Sequence, residues 1–224
     1  MDREKITKQH HIKSEDYFTR FRPDIIDMIP PHTGCVLSAG CASALTETEL
    51  VRKNIKVYGI EIDPEAANTA RMNNITVLEG NVEQINTDLI EEDFDCLIYA
   101  DILEHLKAPE KTLKKHCKKL KPGGLVYISI PNFRHYTVFR DLFLRGRIDY
   151  KDAGILDRTH LRITTRKMAL QWIKSCGLEI TGCNYLMHWK RHKILSALTL
   201  SMAKDFIAVQ IVLTARKPGA KCSL

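Results

Sequence analysis

The sequence has no apolar run long enough to cross a bilayer, so no membrane-spanning helix is expected. Its first residues, MDREKITKQHHIKSED, lack the apolar stretch of a secretory signal, and the expected compartment is the cytoplasm. No two cysteines form a C-x-x-C pair, and their total, seven, is odd. That argues against a disulfide framework or a zinc ribbon. Cys35, Cys41 and Cys96 lie in apolar runs and are expected to be reduced, buried thiols. Aromatic residues make up only 7% of the chain. They are not interleaved with a basic stripe, the pattern that holds single strands, so nucleic acid is not the expected partner. Internal repeats and low-complexity linkers are also absent.

What is present suits one soluble domain over residues 1–224, 44% hydrophobic and 27% charged, with enough apolar surface for a real core. The formal net charge is +7, with local excesses in KTLKKHCKKLK (111–121) and HWKRHK (188–193). The first run is expected to be a solvated helix face; the other reading is attraction to an anionic partner. Beyond the second run, Ile194, Leu195, Leu198 and Met202 form an apolar stripe. A core-facing helix is preferred there over one lying on a membrane surface. No oligomeric contact is inferred.

The segment VLSAGCASALTETELVRKNIKVYGIEID (36–63) carries the most information. An apolar run, a turn of small residues around Gly40, a helical stretch and a second apolar run ending at Glu61 outline a β-α-β nucleotide-binding unit. Strands are expected over 36–39, 56–62, 75–78, 95–100, 125–130 and 206–215, with another starting at 178–180. Helices are expected over 23–29, 46–52, 109–120 and 165–176, and one opens at Asp63-Pro64. Lys121-Pro122-Gly123-Gly124 should turn the chain into the fifth strand. This alternation predicts a Rossmann-like, seven-stranded, mostly parallel sheet with helices on both faces and a helical insertion after strand five. Ligands of such sheets sit beyond the carboxyl ends of the strands.

VLSAGCASAL, VYGIEIDPEAANTAR, LEGNVEQI, DFDCLIYADILEHLKAPEKTL and LKPGGLVYISIPN follow one another in the order and spacing of class I S-adenosylmethionine-dependent methyltransferases. The chain resembles that superfamily over residues 17–217. The segment 131–180 is similar to a bacterial-type branch often associated with glycan biosynthesis. The resemblance implies S-adenosylmethionine as cofactor. Ser38, Ala39 and Gly40 would pass under its methionine part, Glu61 would accept hydrogen bonds from both ribose hydroxyls, and Ile62 would pack on the adenine. Asn81 and Val82 would address the adenine edge, and Ala100 would lie near the sulfonium. The chain departs from the family turn, in which an acid precedes three alternating glycines. Ser38 replaces the acid, and Ala42 and Ala44 replace the later glycines. Weakened cofactor binding is the expected consequence.

Methyl transfer requires chiefly that the acceptor be positioned and water excluded; a hydroxyl acceptor also needs a base, for which histidine is suited. Asp101 and His105, after strand four, and His160, in LDRTHLR, are the candidate catalytic residues. The alternative is that Glu104-His105 simply opens a helix. A resemblance to some O-methyltransferases, including those of ubiquinone synthesis, adds a further option, a magnesium or manganese site built from Asp101, Glu104, His105 and His160. No metal is assigned on the sequence alone. Residues 131–164 are too long for a plain connection and are read as a substrate-recognition insertion, with Arg134, Tyr136, Arg140 and Arg158 suited to an anionic acceptor. Val138, Leu142 and Phe143 would pack the same segment on the sheet edge. Tyr17, Arg20 and Arg22 would form an arm over the cofactor. The expected reaction is methyl transfer to a hydroxyl of a small molecule or glycan. A non-catalytic cofactor-binding or interaction module is the main rival.

Overall fold

The computed structural model describes residues 21–187 and 204–219. Tyr17, Arg20 and the apolar stripe of residues 194–202 lie outside the described residues. In chain order the elements are α1 (Pro23–Met28), β1 (Cys35–Ala39), α2 (Leu45–Arg52), β2 (Lys56–Glu61), α3 (Pro64–Met72), β3 (Thr76–Glu79) and β4 (Phe94–Ala100). Then follow α4 (Pro109–His116), β5 (Leu120–Pro131), α5 (Tyr136–Arg145), α6 (Arg166–Ser175), β6 (Glu179–Leu186), α7 (Lys204–Ile207) and β7 (Gln210–Arg216). The seven strands form one sheet in the order β3-β2-β1-β4-β5-β7-β6. Strands β1 to β5 run parallel, and β7 pairs antiparallel with β5 and β6.

Successive side chains of the central strands go to opposite faces, and each face has its own core. Leu37, Leu97, Tyr99 and Ile128 belong to one cluster; Val36, Cys96, Ile98 and Tyr127 belong to the other. Helices cover both faces, which is why β1 is buried at every position. His116, at the end of α4, is fully buried, and its Nδ1 meets the Tyr99 hydroxyl at 2.8 Å. Burial, helped by the nearby Lys115 charge, pushes this imidazole down to about 4, so it is neutral in the core. The six cysteines among the described residues are free thiols, four of them buried, Cys35, Cys41 and Cys96 included.

Several local expectations need correction. The helix after β4 stops at His116, and a single 3-10 turn carries the chain to Lys119. Lys121-Pro122-Gly123-Gly124 is a bulge inside β5 rather than a turn before it. Phe94 pairs with Leu120, and Cys96, two residues on, pairs with Leu125. Gly123 has φ +76°, which the bulge needs and a side chain would resist. The last strand starts at Gln210, not at Phe206. Residues 204–207 form one helical turn, anchored where Asn132 Nδ2 donates to the Asp205 and Ala208 carbonyls at 2.8 Å. Of the three apolar residues expected to pack the insertion, Val138 alone is buried; Leu142 and Phe143 are 45% and 65% exposed. Phe143 instead stacks on Phe139, ring centroids 4.3 Å apart.

Candidate active site

The rim of the site begins where β1 ends. The Gly40 N–H donates to the Ile60 carbonyl at 2.8 Å, and the chain turns with φ +69°. A Cβ on Gly40 would stand 2.8 Å from Ile102 Cδ1, so both the backbone angle and the close approach require glycine. Ala42 and Ala44 follow with φ +50° and +57°. The turn therefore does demand left-handed backbone at the substituted positions, costing about 1–2 kcal/mol at each. It is held by the Ala42 N–H on Glu61 Oε2 at 2.8 Å and the Ala44 N–H on the Cys41 carbonyl at 2.9 Å. Ala42→Gly is expected to raise stability by about 1 kcal/mol in urea unfolding, because the strain vanishes and little packing is lost. Unchanged or lower stability would show that the turn bears no strain at Ala42.

Glu61 closes β2 and is buried. Besides the Ala42 N–H, its Oε1 accepts the Ile62 and Asp63 N–H groups at 2.8 and 2.9 Å. Asp63 then caps α3 by accepting the Ala66 N–H at 2.9 Å. The Gly80 N–H donates to the Glu61 carbonyl at 2.7 Å and so brings Asn81 beside β2. The Asn81 Oδ1 is occupied by the Glu83 N–H at 2.8 Å, and the Val82 side chain is spent on the core. Polar contacts to an adenine edge from these two residues would therefore come from the Asn81 Nδ2 and the backbone. Ile62 is half-buried beside Glu61, and Ala100 is half-buried at the end of β4.

A buried acid stands beside position 38, where the family turn carries its own. Ser38, buried at the end of β1 next to buried Ala39, donates its hydroxyl to Glu47 Oε1 at 2.6 Å. Glu47 lies in the first turn of α2 and is itself buried; burial pushes its carboxyl above the usual range, against the Ser38 hydrogen bond. Sequence reasoning missed Glu47. The signal was an acid in the first turn of the helix that follows the substituted turn.

Asp101 does not join the histidines. It adopts φ +55°, and Leu103–His105 form a 3-10 turn, so Asp101 and His105 do not share one helical face. Its carboxylate accepts the Ser129 hydroxyl at 2.6 Å, the Arg22 guanidinium at 3.0 Å and the Gln210 amide. Arg22, 6% exposed, also donates to the Asp24 carboxylate at 2.8 and 2.9 Å and to the Tyr127 hydroxyl at 2.7 Å. Of the residues expected to form the N-terminal arm, Arg22 alone lies among the described ones, and it is bound to Asp101. Ser129 and Gln210 were not foreseen, since no motif links strands that meet only in the sheet.

Glu104, His105 and His160 do come together. The Leu161 and Arg162 N–H groups donate to the Glu104 carbonyl at 2.9 and 3.0 Å, clamping the insertion onto the end of β4. The His105 and His160 rings meet edge to face, centroids 4.9 Å apart. His160 Nε2 lies 3.9 Å from Glu104 Oε1. His160 Nδ1 bonds the Ile155 carbonyl at 3.0 Å and His105 Nδ1 the Thr159 carbonyl at 3.1 Å. A carbonyl only accepts, so each Nδ1 carries a proton, and in the neutral ring Nε2 is the accepting nitrogen. One nitrogen from each ring and a Glu104 oxygen lie within 4.8 Å of one another.

S-adenosylmethionine fits this rim by its donor set. Of about four acceptor positions on the Glu61 carboxylate, three hold backbone amides; a ribose hydroxyl can take the fourth. A second hydroxyl bond requires exchange of one amide bond, such as that from Ala42.

Residues 11–182 match the family model described as a methyltransferase domain. A "Ubiquinone biosynthesis O-methyltransferase" of Xylella fastidiosa is 31% identical over 185 residues, covering 73% of this chain and 70% of that one. A protein of the same name from Nitrosococcus oceani is 30% identical over 169 residues, covering 71% and 70%. Among solved structures, a SAM dependent methyltransferase from Archaeoglobus fulgidus superposes with TM-score 0.66 at 14% identity, covering 96% of this chain and all of that one. The cyclase SpnF shares the fold with TM-score 0.59 at 18% identity, over 88% of this chain and 80% of that one. Fold alone therefore does not name the reaction. The family match over most of the sequence does: this chain belongs to the methyltransferase-domain family and is an enzyme that uses S-adenosylmethionine as its methyl donor.

Proposed function

We propose that this enzyme methylates a hydroxyl oxygen of a small-molecule or glycan-type acceptor. The observation that carries the reading is the pair of imidazoles, His105 and His160, brought edge to face beside Glu104, each with its Nδ1 on a backbone carbonyl. A neutral imidazole so oriented can accept the proton of an acceptor hydroxyl as the oxygen is alkylated. The names of the relatives, O-methyltransferases of ubiquinone biosynthesis, support oxygen as the methylated atom. The glycan class rests only on the resemblance of the insertion to its bacterial branch.

The experiment is methyl transfer to a panel of catechols, phenols and sugar alcohols, read by mass spectrometry, with His105→Ala and His160→Ala alongside the wild type. Formation of a methyl ether that falls about 100-fold or more in the variants, with cofactor affinity kept, is the expected result. Transfer to nitrogen, or variants with wild-type rates, would overturn the reading.

A second reading is favoured by one observation, the closeness of the Glu104, His105 and His160 donor atoms. These residues would hold a divalent cation. Two imidazoles and one carboxylate, with Asp101 drawn into the Arg22 network, suit manganese or zinc better than magnesium. Such an ion would polarise an acceptor oxygen. Full activity in excess EDTA excludes this second reading.

A further inference from the structure

Lys111 and Lys114 of the basic run 111–121 stand, with Lys107, on the wall of a groove. Between α4 and α6 the surface opens a groove of about 500 Å³. Lys107, Lys111, Lys114 and Arg162 line it, and Met168 and Trp172 of α6 are also in its wall. One carboxylate, Glu110, accompanies the four cations. Among the described residues, no ion pair engages Lys111, Lys114 or Arg162, whereas Arg134, Arg140, Arg145, Arg147, Arg158 and Arg166 each pair with an aspartate. The Arg162 guanidinium instead donates to the Lys107 carbonyl and ties the two walls together.

Two of the groove's cations follow the histidines closely along both backbones that build the site. Lys107 follows His105 by two residues and Arg162 follows His160 by two, and two residues span at most about 7 Å. Amides of Leu161 and Arg162 on the Glu104 carbonyl keep the two segments together. We propose that this groove binds a phosphate group carried by the methyl acceptor. Several ammonium groups and a guanidinium around one hollow suit a multiply charged phosphate better than a single carboxylate. The apolar wall of Met168 and Trp172 would receive the carbon skeleton next to it. The inference rests on the hydroxyl-methylation reading for what happens at the histidines, but phosphate binding in the groove is measurable without any methyl transfer.

The test is isothermal titration of the whole protein with pyrophosphate at low salt. It compares the wild type, Lys111→Glu/Lys114→Glu, and a control of equal charge change, Lys53→Glu/Lys167→Glu. All variants are first matched for thermal melting. The expected result is wild-type binding that weakens about tenfold or more in the groove variant and much less in the control. Absent binding in the wild type, or equal weakening in both variants, would overturn the proposal. Competition by a soluble phosphomonoester but not by phosphatidic acid vesicles identifies a soluble acceptor, and competition by the vesicles identifies a lipid-borne one. Either competition supports the groove. If pyrophosphate binds while no hydroxyl acceptor is methylated, the groove stands and the reading of the reaction falls.

Discussion

Glu61→Ala is expected to abolish measurable S-adenosylmethionine binding, a loss of about 100-fold or more, and to destabilise the fold by about 3 kcal/mol. Both effects come from one carboxylate. It accepts three backbone amides, from Ala42, Ile62 and Asp63, and so fixes the turn after β1 against the end of β2. Removing it leaves those donors without a partner in a half-buried setting, which costs more than the bonds themselves contribute. The remaining acceptor position is what the ribose would use. Isothermal titration and urea unfolding measure the two effects separately. Glu61→Gln sharpens the comparison: its amide nitrogen must face at least one of the same N–H donors, so stability should fall by less than in Glu61→Ala while cofactor affinity still drops. A Glu61→Ala protein with wild-type affinity would show that the ribose is held elsewhere.

The second large effect is expected at Arg22. Arg22→Met should cost about 3 kcal/mol at neutral pH. The substitution leaves the Asp24 and Asp101 carboxylates, only 27% and 21% exposed, without their shared cation. An uncompensated buried charge is the costly outcome, more so than the loss of the ion pair as such. The sign of the pH dependence follows from Asp24. Burial would raise its carboxyl, but the hydrogen bonds from Arg22 and Tyr127 outweigh burial and hold it below the usual value of 3.8. A depressed carboxyl contributes stability above its unfolded pKa, and that contribution is lost as pH falls through the folded one. The gap between wild type and Arg22→Met should therefore be full at pH 7 and shrink below about pH 4. Urea unfolding at the two pH values checks it. A gap under about 1 kcal/mol at pH 7 would mean that water or a shifted side chain replaces the guanidinium.

Much of the fold was legible because its causes are local. Apolar runs of strand length, Asp63-Pro64 at a helix start and Gly177 after α6 carry their structural meaning in a few neighbouring residues. The same holds for Gly40 and Glu61, whose spacing alone defines the rim. The errors fall where a distant partner decides. Lys121-Pro122-Gly123-Gly124 has the composition of a turn, yet pairing with β4 and with Lys217 draws it into β5 as a bulge. Leu142 and Phe143 look like packing residues, yet no described element covers them.

The site divides along the same line. Chain order by itself settles that an acid ends β2, that a tight small-residue turn precedes α2, and that Glu104-His105 follows β4, because each depends on sequence spacing of a few residues. Tertiary structure alone decides which acids act together. Ser38 meets the Glu47 carboxyl, nine residues away, and Asp101 is pulled toward Arg22, 79 residues away, rather than toward His105. His160 reaches His105 only because two amides of the insertion close on the Glu104 carbonyl. Spacing along a chain governs bonds within a turn of backbone. Charge pairing and ring contact act through space, and only the packed sheet sets which side chains meet.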